Sequence, residues 1–224
     1  MARNLCTNCK RPNKACICKF VIETNNKIPV LILQHPTEVK QSKGTVALLQ
    51  RSLTNCQVLI GEDFSNNETL NNIIAKHQAL LLYPSEKSQP LALNNSAINI
   101  SITSEDKAKP PLLIILDGTW KKSYRMFMLS KNLHSLLHVC LPEVLANNGQ
   151  YLIRKVAKKN ALSSLEATCF ALALLEGELS VYLPEQVNNE NEFNNMLNKI
   201  DCGRYQYILN MFSQFNQFQL SFVK

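Results

Sequence analysis

The stretch Leu112-Leu113-Ile114-Ile115-Leu116 runs without a break into Asp117-Gly118-Thr119-Trp120 and decides the fold. Five consecutive apolar residues, introduced by Pro110-Pro111, predict a strand buried on both faces of a sheet. The run stops at a carboxylate and a glycine, where helical periodicity takes over. Trp120, Tyr124, Phe127 and Met128 fall on one face, with Lys121, Lys122 and Arg125 turned away. Thr119 or Gly118 can cap this helix. An acid at the C-terminal end of a buried strand, beside the positive end of a helix, stands where open α/β sheets bind ligands. The competing reading makes Asp117 a turn residue and Trp120 core.

The flanking chain repeats the pattern. Ile28 to Leu33 reads as a strand ending in Gln34-His35-Pro36-Thr37-Glu38, and 44–53 as a helix with Val46, Leu49 and Leu53 on one face. Cys56 to Ile60 is a second strand, Asn67 to Lys76 a helix, and Ala79 to Tyr83 a third strand halted by Pro84-Ser85-Glu86. The polar stretch from Ser88 to Ser96 is expected to be a loop, and Ile98 to Ile102 an exposed or edge strand. Beyond the central strand, Leu136 to Leu141 is another strand. Ser163 with Glu166 forms a capping box opening an apolar helix that runs to about Leu175. In the tail, Phe193, Met196, Leu197 and Ile200, then Ile208, Leu209, Phe212 and Phe215, are spaced for two helices separated by Gly203. Strands alternating with helices predict an α/β fold with a mainly parallel sheet. No Gly-rich dinucleotide fingerprint, P-loop or nucleophile elbow is present, which removes support for the common nucleotide and hydrolase sites.

At 224 residues the chain can bury one substantial core and carry a small appendage. A net charge of +7 and a pI near 9.0 favour a polyanionic partner. The N-terminus lacks the apolar segment of a secretion signal, and no apolar run approaches a membrane span, so the expectation is a soluble cytoplasmic protein. No feature calls for a protein partner.

Four of the eight cysteines crowd into the first eighteen residues. Cys6, Cys9, Cys16 and Cys18, spaced C-x2-C-x6-C-x-C, can close around one tetrahedral Zn²⁺ and give a short loop a reason to fold. The expected division is a zinc knuckle over 1–24 and an α/β domain over 25–224. Lys10, Arg11 and Lys14 accompany the cysteines, and Arg154, Lys155, Lys158 and Lys159 form a second basic group; both are candidate RNA contacts or solvated surface.

The strand ends Gln34-His35-Pro36-x-Glu38, Tyr83-Pro84-Ser85 and Asp117-Gly118-Thr119-Trp120, with the four cysteines before them and Leu162-Ser163-Ser164-Leu165-Glu166-Ala167 after them, resemble the DTW-domain family of tRNA-uridine aminocarboxypropyltransferases. The motifs keep the family's order from about residue 6 to residue 170; Ser123 and Ser164 are small departures from its usual alanine and threonine. The resemblance implies a SPOUT-like fold with helices on both sheet faces and a knotted C-terminal half. It also implies S-adenosylmethionine as co-substrate, with its 3-amino-3-carboxypropyl group passing to N3 of a tRNA uridine. By this resemblance Leu82, Pro84, Ser85, Leu116, Gly118, Thr119, Trp120 and Ser164 surround the cofactor, the loops at 82–85 and 162–164 largely through backbone groups. Trp120 would be an aromatic wall for the sulfonium. Asp117 is the catalytic candidate, as general base for N3 or as holder of the cofactor's amino group. Zinc would be structural. The rival readings are methyl transfer with the same cofactor, aminocarboxypropyl transfer to ribosomal RNA, a non-catalytic zinc-knuckle RNA-binding protein, and a small-molecule α/β enzyme.

Overall fold

Pro111–Asp117 forms the central strand, β5, and all but its first residue are buried. In the computed structural model, which describes residues 4–92, 109–146, 162–181 and 200–222, it lies between β1 (Val30–Gln34) and β3 (Gln78–Leu82). With β2 (Cys56–Ile60), β4 (Gln89–Pro90) and β6 (Leu137–Cys140) these make a six-stranded sheet of order β2-β1-β5-β3-β6-β4. Every pairing in it is parallel. The two-residue β4 lies within the stretch expected to be loop; it pairs Gln89 with Val139 and Pro90 with Cys140 at the sheet edge, where proline is tolerated.

The period of two along the central strands divides the core. Val30, Ile32, Leu113, Ile115, Leu80 and Val139 face one way and pack with α1 (Val46–Ser52), α5 (Ser164–Leu175) and α6 (Gln206–Leu220). Leu31, Leu33, Leu112, Ile114, Leu116 and Leu81 face the other way, meeting Leu70 of α2 (Glu68–Lys76) and Met126 of α3 (Trp120–Leu129). Helices therefore cover both faces, as expected. α5 is apolar around most of its circumference because it is buried on most sides, with eight of its residues in the interior. A short α4 (Glu143–Ala146) follows β6.

Caps fall where the side chains predict them. Asn67 accepts from the Leu70 amide, and Ser163 and Glu166 complete the capping box. Two expectations fail. Ile200, counted with a helix by its spacing, lies in β8 (Ile200–Asp201), paired antiparallel with β7 (Ser180–Val181); strand pairing outweighs a pattern of four apolar residues. Gly203 does precede α6, in a tight turn with φ of +56°. The second failure concerns α3. Its buried residues are Ser123 and Met126, whereas Trp120, Tyr124 and Met128 are 52%, 57% and 49% exposed. The helix is rotated so that its most aromatic stripe faces outward, and Trp120 is not core. The edge strand expected at 98–102 and the helix over 193–197 lie outside the described residues, as does the connection 147–161 on which threading of the C-terminal half depends.

Residues 4–24 pack on the main body. Ile17 and Phe20 enter the core, and the Phe20 ring meets Phe215 edge-on at 5.6 Å and lies 5.3 Å from Phe218. Among the described residues, no helix is long and apolar enough to cross a membrane.

Candidate active site

The parallel register of β1 and β5 sets Gln34 beside Asp117 at the C-terminal edge of the sheet. The Gln34 amide Nε2 donates to Asp117 Oδ2 at 2.9 Å, and the Ser164 hydroxyl donates to Oδ1 at 2.6 Å. The Asp117 carboxylate is buried, with 8% of the residue exposed, so it needs such donors to offset its lost hydration. Ser164 opens α5 directly after the Ser163 cap, which aims the positive end of a buried helix at the carboxylate. Three segments distant in sequence thus converge on one acid. Gln34 stood at a strand end in the sequence, but its partnership with Asp117 could not be read there, because strand order is not local information.

The remaining groups of the first strand end are fully engaged. The His35 backbone N–H donates to the Asp117 carbonyl at 2.9 Å. The His35 ring accepts from the Thr37 amide at Nδ1, so Nε2 carries the proton shared with Glu62 at 3.3 Å. His35 is a tied turn residue. Buried Glu38 pairs with Lys122 of α3 at 2.8 Å, and Glu62 pairs with Arg125 at 2.9 Å, so two ion pairs moor α3 to the ends of β1 and β2.

At the next strand end, Ser85 and His138 of β6 share a 2.8 Å hydrogen bond. His138 Nε2 lies 3.0 Å from the Leu133 carbonyl, which only accepts; Nε2 is therefore the protonated nitrogen, and Ser85 donates to Nδ1. That bond sits on the α3 side of the sheet, where His138 meets the Phe127 ring edge-on at 5.4 Å. The Asp117 carboxylate is on the α5 side. Ser85 is thus drawn toward β6.

Of the other expected cofactor contacts, Leu116 is core, Leu82 is half-buried, and Pro84 and Thr119 are exposed at strand ends. Thr119 is the cap of α3, accepting from the Lys122 amide at 3.4 Å. At Gly118 a methyl group would approach Lys122 Cβ to 3.0 Å and Ser123 Oγ to 3.3 Å, so glycine permits the close turn from strand to helix.

The knuckle is assembled. The four sulfurs of Cys6, Cys9, Cys16 and Cys18 lie within 4.8 Å of one another, with Cys6–Cys18 and Cys9–Cys16 each at 3.7 Å. Tetrahedral zinc with Zn–S bonds of about 2.3 Å puts its sulfurs about 3.8 Å apart, so the set fits. The backbone amides of Cys9 and Asn8 draw the Cys6 thiol down to about 6, while desolvation and the neighbouring sulfurs push Cys18 up to about 12.

Lys10 and Lys14 are exposed beside the knuckle. Arg11 instead is half-buried and donates to the Ser42 carbonyl at 2.9 Å, bracing the knuckle on the main body. Arg154, Lys155, Lys158 and Lys159 lie outside the described residues.

Comparison with known proteins agrees with the residues. The DTW domain profile matches residues 3–220. A Drosophila melanogaster protein named tRNA-uridine aminocarboxypropyltransferase 2 is 34% identical over 181 residues, covering 78% of this chain and 67% of its own. Its Macaca fascicularis namesake is 30% identical over 76% of this chain and 56% of its own. The Arabidopsis thaliana tRNA-uridine aminocarboxypropyltransferase A is 27% identical, covering 78% of this chain and 73% of its own. No solved structure matches. With nearly its whole length matched by one profile, the chain belongs to the DTW domain family.

Proposed function

We propose that this protein transfers the 3-amino-3-carboxypropyl group of S-adenosylmethionine to N3 of a uridine in tRNA, forming acp3U. The observation that carries the proposal is the Asp117 carboxylate, fixed by Gln34 and Ser164 at the switch between β1 and β5, in a chain whose relatives bear that activity in their names. The strand-end crevice offers what the donor molecule needs: one buried negative charge for a cationic substrate, and backbone from the turns after β3 and β5.

In the proposed step, uridine N3 forms a bond to the chain carbon next to sulfur, and the carbon–sulfur bond breaks. Its electrons stay on sulfur, which leaves as the neutral thioether 5′-methylthioadenosine, and the N3 proton passes to Asp117. Gln34 and Ser164 keep the carboxylate aimed, and the pocket selects the propyl carbon over the methyl by position. A second role for Asp117, pairing with the donor's ammonium, is favoured by the two donors that already stabilise its negative charge. The two roles differ in kinetics: loss of a base lowers kcat, and loss of an anchor raises KM for S-adenosylmethionine.

Zinc on the four cysteines would be structural, anchoring Ile17 and Phe20 into the core and presenting Lys10 and Lys14 to RNA. Two features support a threaded C-terminal half: the insertion of β5 between β1 and β3, and the return of α5 from beyond β6 to Asp117. Four cysteines on zinc and four more outside any disulfide fit a reducing, cytoplasmic setting. Nucleoside analysis of tRNA incubated with the protein and S-adenosylmethionine tests the function. Appearance of acp3U supports it, and methyluridine in its place overturns the reaction.

A further inference from the structure

Ten residues after Gly118-Thr119 make a helix whose outward half carries both rings and charge. In α3, Trp120, Tyr124 and Met128 succeed one another at intervals of four, about 6 Å apart along the axis. They are 52%, 57% and 49% exposed, and Lys121 and Arg125 stand beside them on the exposed side. Arg125 remains 67% exposed even while pairing with Glu62, and the helix contains no acid. The hydrophobic core does not need these side chains, since Ser123 and Met126 supply the buried contacts. The two ion pairs through Lys122 and Arg125 hold the helix rigidly against the ends of β1 and β2.

We propose that this face is the platform on which unpaired nucleotides flanking the target uridine stack, Tyr124 and Met128 meeting bases and Lys121 meeting phosphate. The inference rests on the tRNA reading above and says how that RNA is held. Three observations favour RNA over a second copy of the chain. Rings interleaved with cations, and no acid, suit single-stranded nucleic acid. The helix begins at the strand end that carries Asp117, so the Trp120 end of the stripe lies nearest that edge of the sheet, from which RNA would reach round to the carboxylate on the α5 side. The face is also small. One face of a ten-residue helix, about 15 Å long and about 10 Å wide, covers about 150 Å², well short of the roughly 800 Å² per partner that a stable dimer buries. Two copies meeting there would, in addition, bring like charges together.

The test compares wild type, the double variant Tyr124→Ala/Met128→Ala and the single variant Tyr124→Phe in the full-length protein. Each is assayed with S-adenosylmethionine and tRNA. Both positions are exposed, so the variants retain the core. The double variant should raise KM for tRNA about tenfold while KM for S-adenosylmethionine moves less than twofold, and Tyr124→Phe, which keeps a stacking ring, should stay within about twofold of wild type in KM for tRNA. Photocrosslinking of tRNA carrying 4-thiouridine near the target should fall on 120–129. Unchanged KM for tRNA, crosslinks confined elsewhere, or a wild-type dimer that the double variant dissociates without changing KM for tRNA would each overturn the platform. Absence of transfer by the wild type itself would instead refute the underlying function.

Discussion

Ser164, the first residue of α5, donates a 2.6 Å hydrogen bond to Oδ1 of Asp117, the last residue of β5. The bond joins the start of the helix buried on one sheet face to the end of the central strand, 47 positions apart in sequence. Because Gln34 holds the other oxygen from β1, removing either donor leaves a buried carboxylate short of a partner, a loss of about 1–3 kcal/mol. Ser164→Ala should reduce kcat/KM about tenfold and, by that loss, lower the melting temperature by several degrees. Ser164→Thr, which keeps the hydroxyl, should stay near wild type. Equal activities for all three proteins would show that the bond has no part in the reaction.

Asp117→Asn keeps the shape of the side chain and removes its charge. As the proton acceptor, Asp117 should be worth at least a hundredfold in kcat, with KM for S-adenosylmethionine nearly unchanged. A rise confined to that KM would assign the anchoring role. Initial-rate kinetics at saturating tRNA separate the two.

The knuckle predicts one zinc per chain by metal analysis. Cys6→Ser should abolish stoichiometric zinc and lower the melting temperature, because Ile17 and Phe20 lose the loop that holds them in the core. Acid should release the metal as the thiolates take up protons. Stoichiometric zinc in Cys6→Ser would disprove the site.

Much of this was legible in the chain. The apolar run before Asp117 gave the buried strand, Asn67 and Ser163 marked helix starts, and the cysteine spacing gave the clustered sulfurs, because each signal is local. What was missed is non-local. The spacing of Trp120, Tyr124 and Met128 correctly indicated a helix, yet could not say which face the sheet would take, and two ion pairs with Glu38 and Glu62 settle that. The roles of Gln34 and His138 depend on which strands are neighbours. Ile200 is paired as a strand against a helical pattern.

Ser85 and His138 couple the turn after β3 to β6. His138→Phe removes the acceptor and should loosen that turn, raising KM for S-adenosylmethionine a few-fold. Ser85→Ala should do the same, and the double variant should be no worse than either single one. Additive effects would mean that the two residues act separately.

Gly203 adopts φ of +56° against Glu178, whose carboxylate also pairs with Arg204. Gly203→Ala should destabilise the fold by about 1–3 kcal/mol in denaturant titration. The Arg204 hydrogen bond holds the Glu178 carboxyl below its ordinary range. Its contribution is therefore present above the ordinary carboxylate pKa and lost as pH falls through the lower folded value. Glu178→Gln should cost stability at neutral pH, and the difference from wild type should shrink in acid; a pH-independent difference would contradict the ion-pair account.

The most direct measurement supplies S-adenosylmethionine labelled separately in the methyl group and in the aminocarboxypropyl chain, together with unmodified tRNA. Label should enter the tRNA from the chain alone and be recovered as acp3U. Label entering from the methyl group, or from neither position, would contradict the account.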